Sequence, residues 1–163
     1  MPIRPATEAD LPAILAIYNH AIATSTAIWI DTPVDLADRR AWFLLRQSQG
    51  YPVLVAEEGG AVLGYASFGD FRPYEGFRAT VEHSVYLAER ARGRGLGTAL
   101  VEALFPLARA CGKRIMVGAV DATNEPSLRL HRKLGFRDVG CLPGVGEKFG
   151  RPLDMLLLQK ELV

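Results

Sequence analysis

Residues 89–104 read ERARGRGLGTALVEAL, a run in which glycine occupies three alternate positions immediately before a helix-like stretch. Glycine has no Cβ atom, so the backbone here can curl until successive amide hydrogens point into one concavity. The concavity opens onto a helix N-terminus, whose partial positive charge attracts anions. The glycines concerned are Gly93, Gly95 and Gly97. The run therefore predicts a strand, an anion-binding loop that fits a pyrophosphate, and a helix.

The same loop carries two arginines, Arg92 and Arg94. A guanidinium can make bidentate, charge-assisted hydrogen bonds to phosphate oxygens, which a lysine makes with less geometric definition. A glycine-rich turn with solvated arginines has the same letters, so the loop alone leaves both interpretations open. A formal net charge of +1 over 163 residues is not that of a general nucleic-acid binder, so any anion should be bound locally.

Two other phosphate-binding loops fit less well. A mononucleotide P-loop needs Gly-Lys-Ser/Thr, and that tripeptide is absent from the sequence. The dinucleotide fingerprint G-x-G-x-x-G is half met, because Gly93 and Gly95 fit while Thr98 stands where the third glycine belongs. Asp121 can imitate the ribose-binding acid of that fold. That fold, however, expects its loop after the first strand, whereas two predicted helices and a hairpin come first here.

Hydrophobic periodicity predicts two helices before the first hairpin. Thr7 followed by Asp10 is a capping-box-like start for TEADLPAILAIYNHAIA, whose apolar residues fall on one helical stripe. Thr32 as a cap, with Pro33 at the first helical position, predicts the start of the second helix. The β-rich runs YPVLVAEE and AVLGYASFGDF then form a hairpin around residues 58–60, which read EGG.

The rest of the chain alternates strands and helices. Residues 78–87 form a strand that runs into the glycine-arginine loop, and LGTALVEALFPLARACG is the following helix, which Pro106 can kink. KRIMVGAV is a strand, TNEPSLRLHRKLG a helix capped near Thr123 or Asn124, and FRDVGCL and PLDMLLLQKEL are the final strands. An apolar fraction of 49% fits one globular domain, residues 1–163.

Cysteine usage and the first residues of the chain suggest a compartment. Cys111 and Cys141 are the only cysteines, and without a secretory signal in front of them both are expected to be reduced thiols. MPIRPATEADLPAIL lacks a basic start followed by an apolar core, and no window reaches the roughly 18 apolar residues of a membrane span. We therefore expect a cytoplasmic protein with no membrane and no nucleic-acid partner.

The motif Arg92-x-x-Gly95-x-Gly97 resembles the R/Q-x-x-G-x-G/A signature of the GNAT family of N-acetyltransferases, in which this loop grips the pyrophosphate of acetyl-CoA. The predicted order of elements is that family's order over essentially all 163 residues. The blocks IYNHAI, GYASFGDFRPYEGFRATVEHSVYL, SLRLHRKLGF and KFGRPLDMLLLQ resemble its phosphinothricin and methionine-sulfoximine acetyltransferase group, and they are more specific than the loop. The resemblance implies a mixed α+β fold with a largely antiparallel sheet of six to seven strands flanked by helices.

The resemblance also implies acetyl-CoA as the co-substrate and no metal. It places the backbone of one strand beside the pantetheine arm, which lies like an added strand where the sheet splays open. The strand residues are Val85, Tyr86 and Leu87. The pyrophosphate is expected on Arg92, Gly93, Arg94, Gly95, Leu96, Gly97 and Thr98. Asn124 would line the far side of the pantetheine, and Lys133 either reaches a phosphate or is a solvated helix lysine.

Acetyl transfer to an amino acid needs a base, because the ammonium group is protonated at neutral pH. The resemblance of VEHSV favours Glu82 as this base over a surface-facing strand glutamate. Many relatives carry a tyrosine near the sulfur on the last helix, and His131 takes that place here. It is either an acid for the leaving thiolate or a locally hydrogen-bonded residue. His83 is expected to pack on the other face, and an amide near Val85 to polarise the carbonyl.

The stretch GDFRPYEGFRATVEH combines aromatic walls with guanidinium groups, which suits a small molecule that bears an amine and a carboxylate. By resemblance, the acceptor is the α-amine of a glutamate- or methionine-like compound such as phosphinothricin, methionine sulfoximine or methionine sulfone. The candidate contacts are Arg72, Tyr74, Glu75, Gly76, Phe77 and Arg78. The sequence does not decide between Arg72 and Arg78. Trp29 and Ile30 either close the pocket or belong to the core.

Alternatives to this function stay open at the level of sequence. The acceptor can be another amine, such as a protein N-terminus or a polyamine, although Arg72 and Arg78 count against a polyamine. Alternatively, the protein is a sensor that binds acyl-CoA without turnover. Direct transfer is expected, with neither cysteine as nucleophile. KFGRPLD resembles a turn that lies at a dimer interface in relatives, so a homodimer is expected, although Pro152 stands where Trp is usual.

Overall fold

The computed structural model describes residues 2–163. Seven strands form one sheet in the spatial order β1-β2-β3-β4-β5-β7-β6. The strands are β1 (Ile3–Pro5), β2 (Val53–Glu58), β3 (Ala61–Asp70), β4 (Thr80–Leu87), β5 (Ile115–Asp121), β6 (Arg137–Lys148) and β7 (Arg151–Glu161). The helices are α1 (Leu11–Thr24), α2 (Leu36–Ser48), α3 (Leu96–Ala110) and α4 (Glu125–Lys133). Neighbouring strands are antiparallel except β4 and β5, so the expected α+β fold is confirmed.

The two faces of the sheet are covered by different helices, because side chains alternate along each strand. On β2, Val53 and Val55 pack in one cluster with α1 and α2, whereas Leu54 and Ala56 pack in another with α3. All four side chains are buried. A strand buried on both faces reads as a continuous apolar run, which is the pattern of YPVLVAEE.

The strands β4 and β5 diverge after a short parallel pairing. That pairing joins residues 80–82 of β4 to residues 115–117 of β5. On its other edge, β4 stays paired with β3 as far as Leu87. The edge of β4 that faces β5 is thereby open beyond Glu82, and buried backbone groups on such an edge need a partner from outside the sheet. This is the splay that the family resemblance led us to expect.

The first helix starts as predicted. The carboxylate of Asp10 accepts the amide of Thr7 at 2.8 Å, one 3-10 turn (Glu8–Asp10) follows, and α1 begins at Leu11. The helix ends at Thr24, so it includes the apolar residues whose spacing predicted it.

The predicted start of the second helix is wrong, because neither Thr32 nor Pro33 belongs to it. The Asn19 side chain accepts the amide of Val34 at 3.0 Å and donates to the carbonyl of the same residue at 2.9 Å. Both backbone groups of Val34 are therefore committed outside a helix. Asp35 caps α2 instead, since its carboxylate accepts the amide of Asp38 at 2.9 Å.

Two further features differ from or refine the prediction. The strand β1 was not predicted; it pairs with β2 over three residues, which is too short for a periodic pattern to show. Pro106 lies inside α3, which nevertheless continues to Ala110. Within residues 2–163, none of the helices combines the length and the apolar character needed to cross a membrane.

Candidate active site

The glycine-arginine loop forms the connection between β4 and α3. Gly93 and Gly95 have φ angles of 74° and 77°, in the left-handed region that favours glycine. Gly95 is also the N-cap of α3, and in the described chain no side chain caps the amides of the first turn. Free amides at a helix N-terminus form an anion-binding site. The predicted curled loop is thus confirmed, and the pyrophosphate it holds stays a prediction.

Gly97 is a glycine for a different reason. It lies in the first turn of α3, and a Cβ atom there would approach Cδ1 of Leu130 to 2.9 Å. A contact this short forces something to shift, so the missing side chain lets α3 pack closely against α4. That packing places α4 as the opposite wall of the cleft described next.

A cleft of about 1000 Å³ opens between the loop, the end of α1 and α4. The predicted cofactor residues on its lining are Val85, Tyr86, Leu87, Arg92, Gly93, Gly95, Leu96, Gly97, Thr98, Asn124 and Lys133. Two more cationic residues, Arg129 and Arg151, line the same cleft. Sequence reasoning missed both, because neither stands in a motif. A cleft of this volume with several cationic side chains on its lining suits a large, phosphate-bearing ligand.

The side chain of Arg94, the other arginine of the loop, is not part of the cleft lining. Its guanidinium donates to both carboxylate oxygens of Glu58, at 2.7 and 3.1 Å, and so turns toward the β2–β3 hairpin. A planar guanidinium matches a carboxylate in two parallel hydrogen bonds. The contact of Arg94 with a pyrophosphate stays a prediction. Arg92 remains the loop arginine that lines the cleft.

A second cavity, of about 300 Å³, lies where β4 and β5 diverge. One wall comes from the connection between α1 and α2, namely Ala27, Ile28, Trp29 and Ile30. The strands contribute Glu82, His83, Ser84, Val85, Tyr86, Gly118, Ala119, Val120, Asp121 and Met155. Asn124, Ser127 and His131 complete the lining from the start and the inner side of α4. Its size suits a small molecule rather than a polymer.

Glu82 is the carboxylic acid of this cavity with the altered acidity that a base requires. Burial raises the pKa of Glu82 above its ordinary value, and the positive charge of Arg72 opposes that shift. A carboxylate with a raised pKa binds a proton more firmly, which strengthens it as a general base. Glu82 therefore lies where the sequence placed it, in a suitable environment.

The structure separates the two candidate arginines of the acceptor loop. Arg72 acts on the charge of Glu82. Arg78 instead donates from Nη1 to the carbonyl of Glu75 at 2.8 Å, within its own turn. Arg72 is thus near enough to influence the carboxylate of Glu82, and which of the two arginines holds an acceptor carboxylate stays a prediction.

The rest of the acceptor loop is more open than the sequence suggested. Tyr74 is 70% exposed and Phe77 41% exposed, and Glu75, Gly76 and Arg78 are exposed as well. In the part of the chain that the structure describes, none of the six candidate contacts lines the small cavity. Their contact with an acceptor stays a prediction.

The two cavities meet. The residues that line both are Ala27, Val85, Tyr86, Asn124 and Ser127. A ligand that enters along the large cleft therefore ends at the same backbone segment that borders the small cavity and its carboxylate. This junction brings an elongated and a small ligand together, which is what a transfer reaction between them requires.

A buried pair of histidines forms the floor of the small cavity. His83 Nε2 and His131 Nε2 are 2.9 Å apart, and both side chains are buried. His131 Nδ1 lies 2.7 Å from the Ser127 carbonyl, which can only accept, so Nδ1 carries the proton. His131 Nε2 is then the acceptor, and His83 donates to it. The locally bonded arrangement of His131 is thus observed, while its role as acid stays a prediction.

Both histidines are neutral at neutral pH. Burial, together with the neighbouring His131, lowers the pKa of His83 to about 3. Burial also lowers the pKa of His131, although the Ser127 carbonyl opposes the shift. His131 could donate a proton in its neutral form only by giving up its bond to Ser127.

The neutral pair predicts a pH-dependent stability. Below about pH 6.5 these histidines bind a proton in the unfolded state but stay neutral in the folded state. The free energy of unfolding should therefore fall, as the pH is lowered, by up to about 1.4 kcal/mol per pH unit and per histidine. We expect His83→Asn to be less stable at pH 7.5 but to lose less stability between pH 6.5 and 5. Urea unfolding at three pH values measures this. His20→Asn, at a half-buried histidine, is the control. Equal slopes for wild type and His83→Asn would contradict the assignment.

Sequence reasoning missed Gly118, and it gave Asp121 no role once the dinucleotide-binding fold was set aside. A Cβ atom at Gly118 would come within 2.7 Å of His131 Nε2, so the histidine pair packs on bare backbone; a glycine inside KRIMVGAV was the signal for such a close approach. Asp121 accepts from the Thr26 hydroxyl and from the Thr123 amide at 3.0 Å. It thus fastens the α1–α2 connection to β5, and no nucleotide-binding role is needed for it.

Comparison with known proteins agrees with this geometry. The model of the acetyltransferase (GNAT) family matches residues 14–136. The L-methionine sulfoximine/L-methionine sulfone acetyltransferase of Pseudomonas aeruginosa is 58% identical over 161 residues, which cover 98% of this chain and 94% of that protein. The phosphinothricin N-acetyltransferase of Alcaligenes faecalis is 40% identical over 163 residues, 98% of this chain and 82% of that one.

Solved structures with the same fold are also similar along their whole length. An acetyltransferase from Salmonella typhimurium, with its cofactor acetyl-CoA, superposes with a TM-score of 0.97 at 51% identity, covering 99% of this chain and 94% of that one. A ribosomal-protein-alanine N-acetyltransferase from Brucella melitensis gives a TM-score of 0.97 at 51% identity, covering 99% of each chain.

Proposed function

This chain belongs to the GNAT family of acetyltransferases, and we propose that it acetylates the α-amine of small amino-acid-like compounds such as methionine sulfoximine, methionine sulfone and phosphinothricin. It is an acetyl-CoA-dependent N-acetyltransferase. The observation that carries the proposal is the junction of the two cavities beside Glu82. The methionine sulfoximine acetyltransferase with which this chain shares 58% of its residues supports the choice of acceptor.

The large cleft fits acetyl-CoA. The left-handed Gly93 and Gly95 present the first-turn amides of α3 to a pyrophosphate, and Arg92 and Lys133 supply positive charge on the same cleft. The open edge of β4 at Val85 offers backbone groups to the amide-bearing pantetheine arm. When bound, acetyl-CoA supplies an activated acetyl group, whose transfer forms a C–N bond and breaks a C–S bond.

The small cavity fits the amine. Glu82 removes the proton from the ammonium group, directly or through one water, because only the neutral amine carries a lone pair for attack. Arg72 holds the carboxylate of the same molecule and keeps Glu82 ionised. An amide near Val85 polarises the carbonyl. We retain His131, which lines the cavity, as the acid for the leaving thiolate. Because it is neutral, it must release its Nδ1–H from the Ser127 carbonyl and take back the proton that Glu82 removed from the amine, which balances the step.

A second candidate acceptor is the N-terminal amine of a protein. It is favoured by the relative from Brucella melitensis that is named a ribosomal-protein-alanine N-acetyltransferase. The volume of about 300 Å³ beside Glu82 is small for a peptide, which ranks this acceptor second. The exposed acceptor loop, with Tyr74 at its tip, leaves a path for a longer molecule.

An amine panel separates these acceptors. Thiol release from acetyl-CoA is measured with methionine sulfoximine, methionine sulfone, phosphinothricin, an alanine-led peptide and spermidine. We expect kcat/KM for the three amino-acid-like compounds to exceed that for the peptide and for spermidine by about tenfold or more, since a pocket that pairs polar groups rejects ligands lacking them. A preference for the peptide supports the second candidate. Acetyl-CoA binding without thiol release from any amine indicates a sensor.

We also propose a homodimeric assembly and a cytoplasmic location. Exposed apolar side chains on β6, at Val139, Leu142 and Val145, continue to Phe149 in the β6–β7 turn and suit a homodimer interface. Light scattering at several concentrations tests that state. Cys111 and Cys141 are free in the described chain, which supports a cytoplasmic location.

A further inference from the structure

A lysine that lines neither cavity is buried in an unusual way. Lys148 ends β6 with 2% of its surface exposed, and its Nζ donates to three backbone carbonyls. The acceptors are Ile22 at 2.7 Å, Ser25 at 2.8 Å and Ile28 at 2.5 Å. An ammonium has three N–H donors, so all of them are used. Burial of a charge is costly unless it is compensated in this way.

The three carbonyls belong to one structural unit. Ile22 lies in the last turn of α1, Ser25 is its C-cap, and Ile28 lies in the connection that follows. The last carbonyls of a helix lack intrahelical partners and carry a partial negative charge, so a cation is stabilising there. Lys148 therefore joins the end of α1, the connection and the end of β6, across at least 120 residues of sequence.

The connection held by Lys148 is the wall of the small cavity. Ala27 and Ile28 lie on that wall together with Trp29, whose indole donates to the Thr26 carbonyl at 2.8 Å. The Trp29 ring packs on bare backbone of β6, since a Cβ atom at Gly146 would lie 2.1 Å from it. Residues 25–35 form neither helix nor strand, so side-chain ties determine the position of the wall.

The turn after Lys148 fixes the direction of its side chain. Phe149 and Gly150 have φ angles of 53° and 72°, the combination of a tight two-residue hairpin. Lys148 and Arg151 are the paired residues on either side of it. The lysine thus extends from a rigid strand end into the less regular connection.

We infer that Lys148 is a positioning residue for the acceptor: it holds the α1–α2 connection so that Trp29 rests on Gly146 and walls the amine pocket. This inference rests on the proposed acetyltransferase function. Lys148 touches neither cavity, and it acts on the amine through Ile28 and Trp29. Ser25 and Ala27 of the same segment also line the large cleft, whereas Ile28 and Trp29 line only the small cavity, and the glycine loop before α3 is a separate element. We therefore expect Lys148 to affect amine binding more than acetyl-CoA affinity.

Two variants test the inference by different routes. Lys148→Met removes the ammonium while keeping a side chain of similar length. Gly146→Ala leaves Lys148 intact and pushes Trp29 from its seat. For each folded variant, we expect the KM for methionine sulfoximine to rise about tenfold or more, with acetyl-CoA dissociation constants within about threefold of wild type. The matched control is Lys160→Met. Lys160 lies on β7, and its Nζ is 5.2 Å from the centre of the Phe105 ring of α3.

The outcomes separate this inference from the function it rests on. If the wild type releases no thiol with any amine, the proposed function is wrong, and the result does not bear on the position of the α1–α2 connection. If the wild type is active but both folded variants keep its amine KM, the inference is overturned. Should Lys148→Met not fold, Gly146→Ala decides: a raised amine KM supports the inference, and an unchanged one overturns it. A parallel rise in the acetyl-CoA dissociation constant would also overturn it, because it would indicate general disorder.

Discussion

Replacing Glu82 with glutamine is expected to lower kcat by about 10²- to 10⁴-fold, the range that a positioned general base contributes. Glutamine has nearly the same shape but cannot accept the proton of the ammonium group. The affinity for acetyl-CoA should stay unchanged, because Glu82 lines the small cavity and not the large cleft. Steady-state thiol release and calorimetric titration measure the two quantities. Glu102→Gln, on the exposed face of α3, is the control and should behave as wild type.

The pH dependence of the rate tests the same role of Glu82. Burial raises the pKa of Glu82, so the wild-type rate should increase with pH through a value above that of an ordinary glutamate. Arg72 lowers that pKa, and Arg72→Gln should therefore move the same limb to higher pH. In Glu82→Gln the limb should be absent. A limb that survives in Glu82→Gln at its wild-type position would remove Glu82 from the role of base.

Replacing Gly95 with alanine is expected to weaken acetyl-CoA binding by about tenfold or more, because tenfold corresponds to only about 1.4 kcal/mol. Gly95 has a φ of 77°, and an L-residue there costs about 1–2 kcal/mol in backbone strain. Space is not the obstacle, since nothing lies within 4 Å of a Cβ atom at Gly95. The backbone can relieve the strain only by tilting the amides that form the anion site. Calorimetric titration with acetyl-CoA measures the loss.

Gly112 provides the matched control for this prediction. It follows the other end of α3, with a φ of 75° and equally open space for a Cβ atom. Gly112→Ala should therefore lose a similar free energy of unfolding while keeping the wild-type affinity for acetyl-CoA. If both alanine variants bind acetyl-CoA as well as the wild type does, the glycine loop does not hold the pyrophosphate.

Local patterns made much of this fold and site predictable. The glycines before α3 predict a left-handed turn and an uncapped helix N-terminus, because glycine adopts positive φ angles without strain. Glu82 followed from a strand block that resembles a known group, and both cavities lie where that block and the loop meet. These features depend on residues that are close together in sequence.

The features that escaped prediction depend on contacts between distant residues. Val34 is kept out of α2 by Asn19, fifteen positions earlier. Arg94 pairs with Glu58, thirty-six positions earlier. Lys148 reaches carbonyls more than a hundred positions away. Neither periodicity nor a motif identifies such pairs, since nothing in the neighbouring sequence of either residue indicates its partner.

A structure of the protein crystallised with CoA and methionine sulfoximine tests the central claim most directly. We expect the pyrophosphate on the first-turn amides of α3 and the sulfur beside Val85. We expect the amine nitrogen within hydrogen-bonding distance of Glu82, or one water away from it. A pyrophosphate bound elsewhere, or an amine held outside the cavity that contains Glu82, would contradict the proposed function.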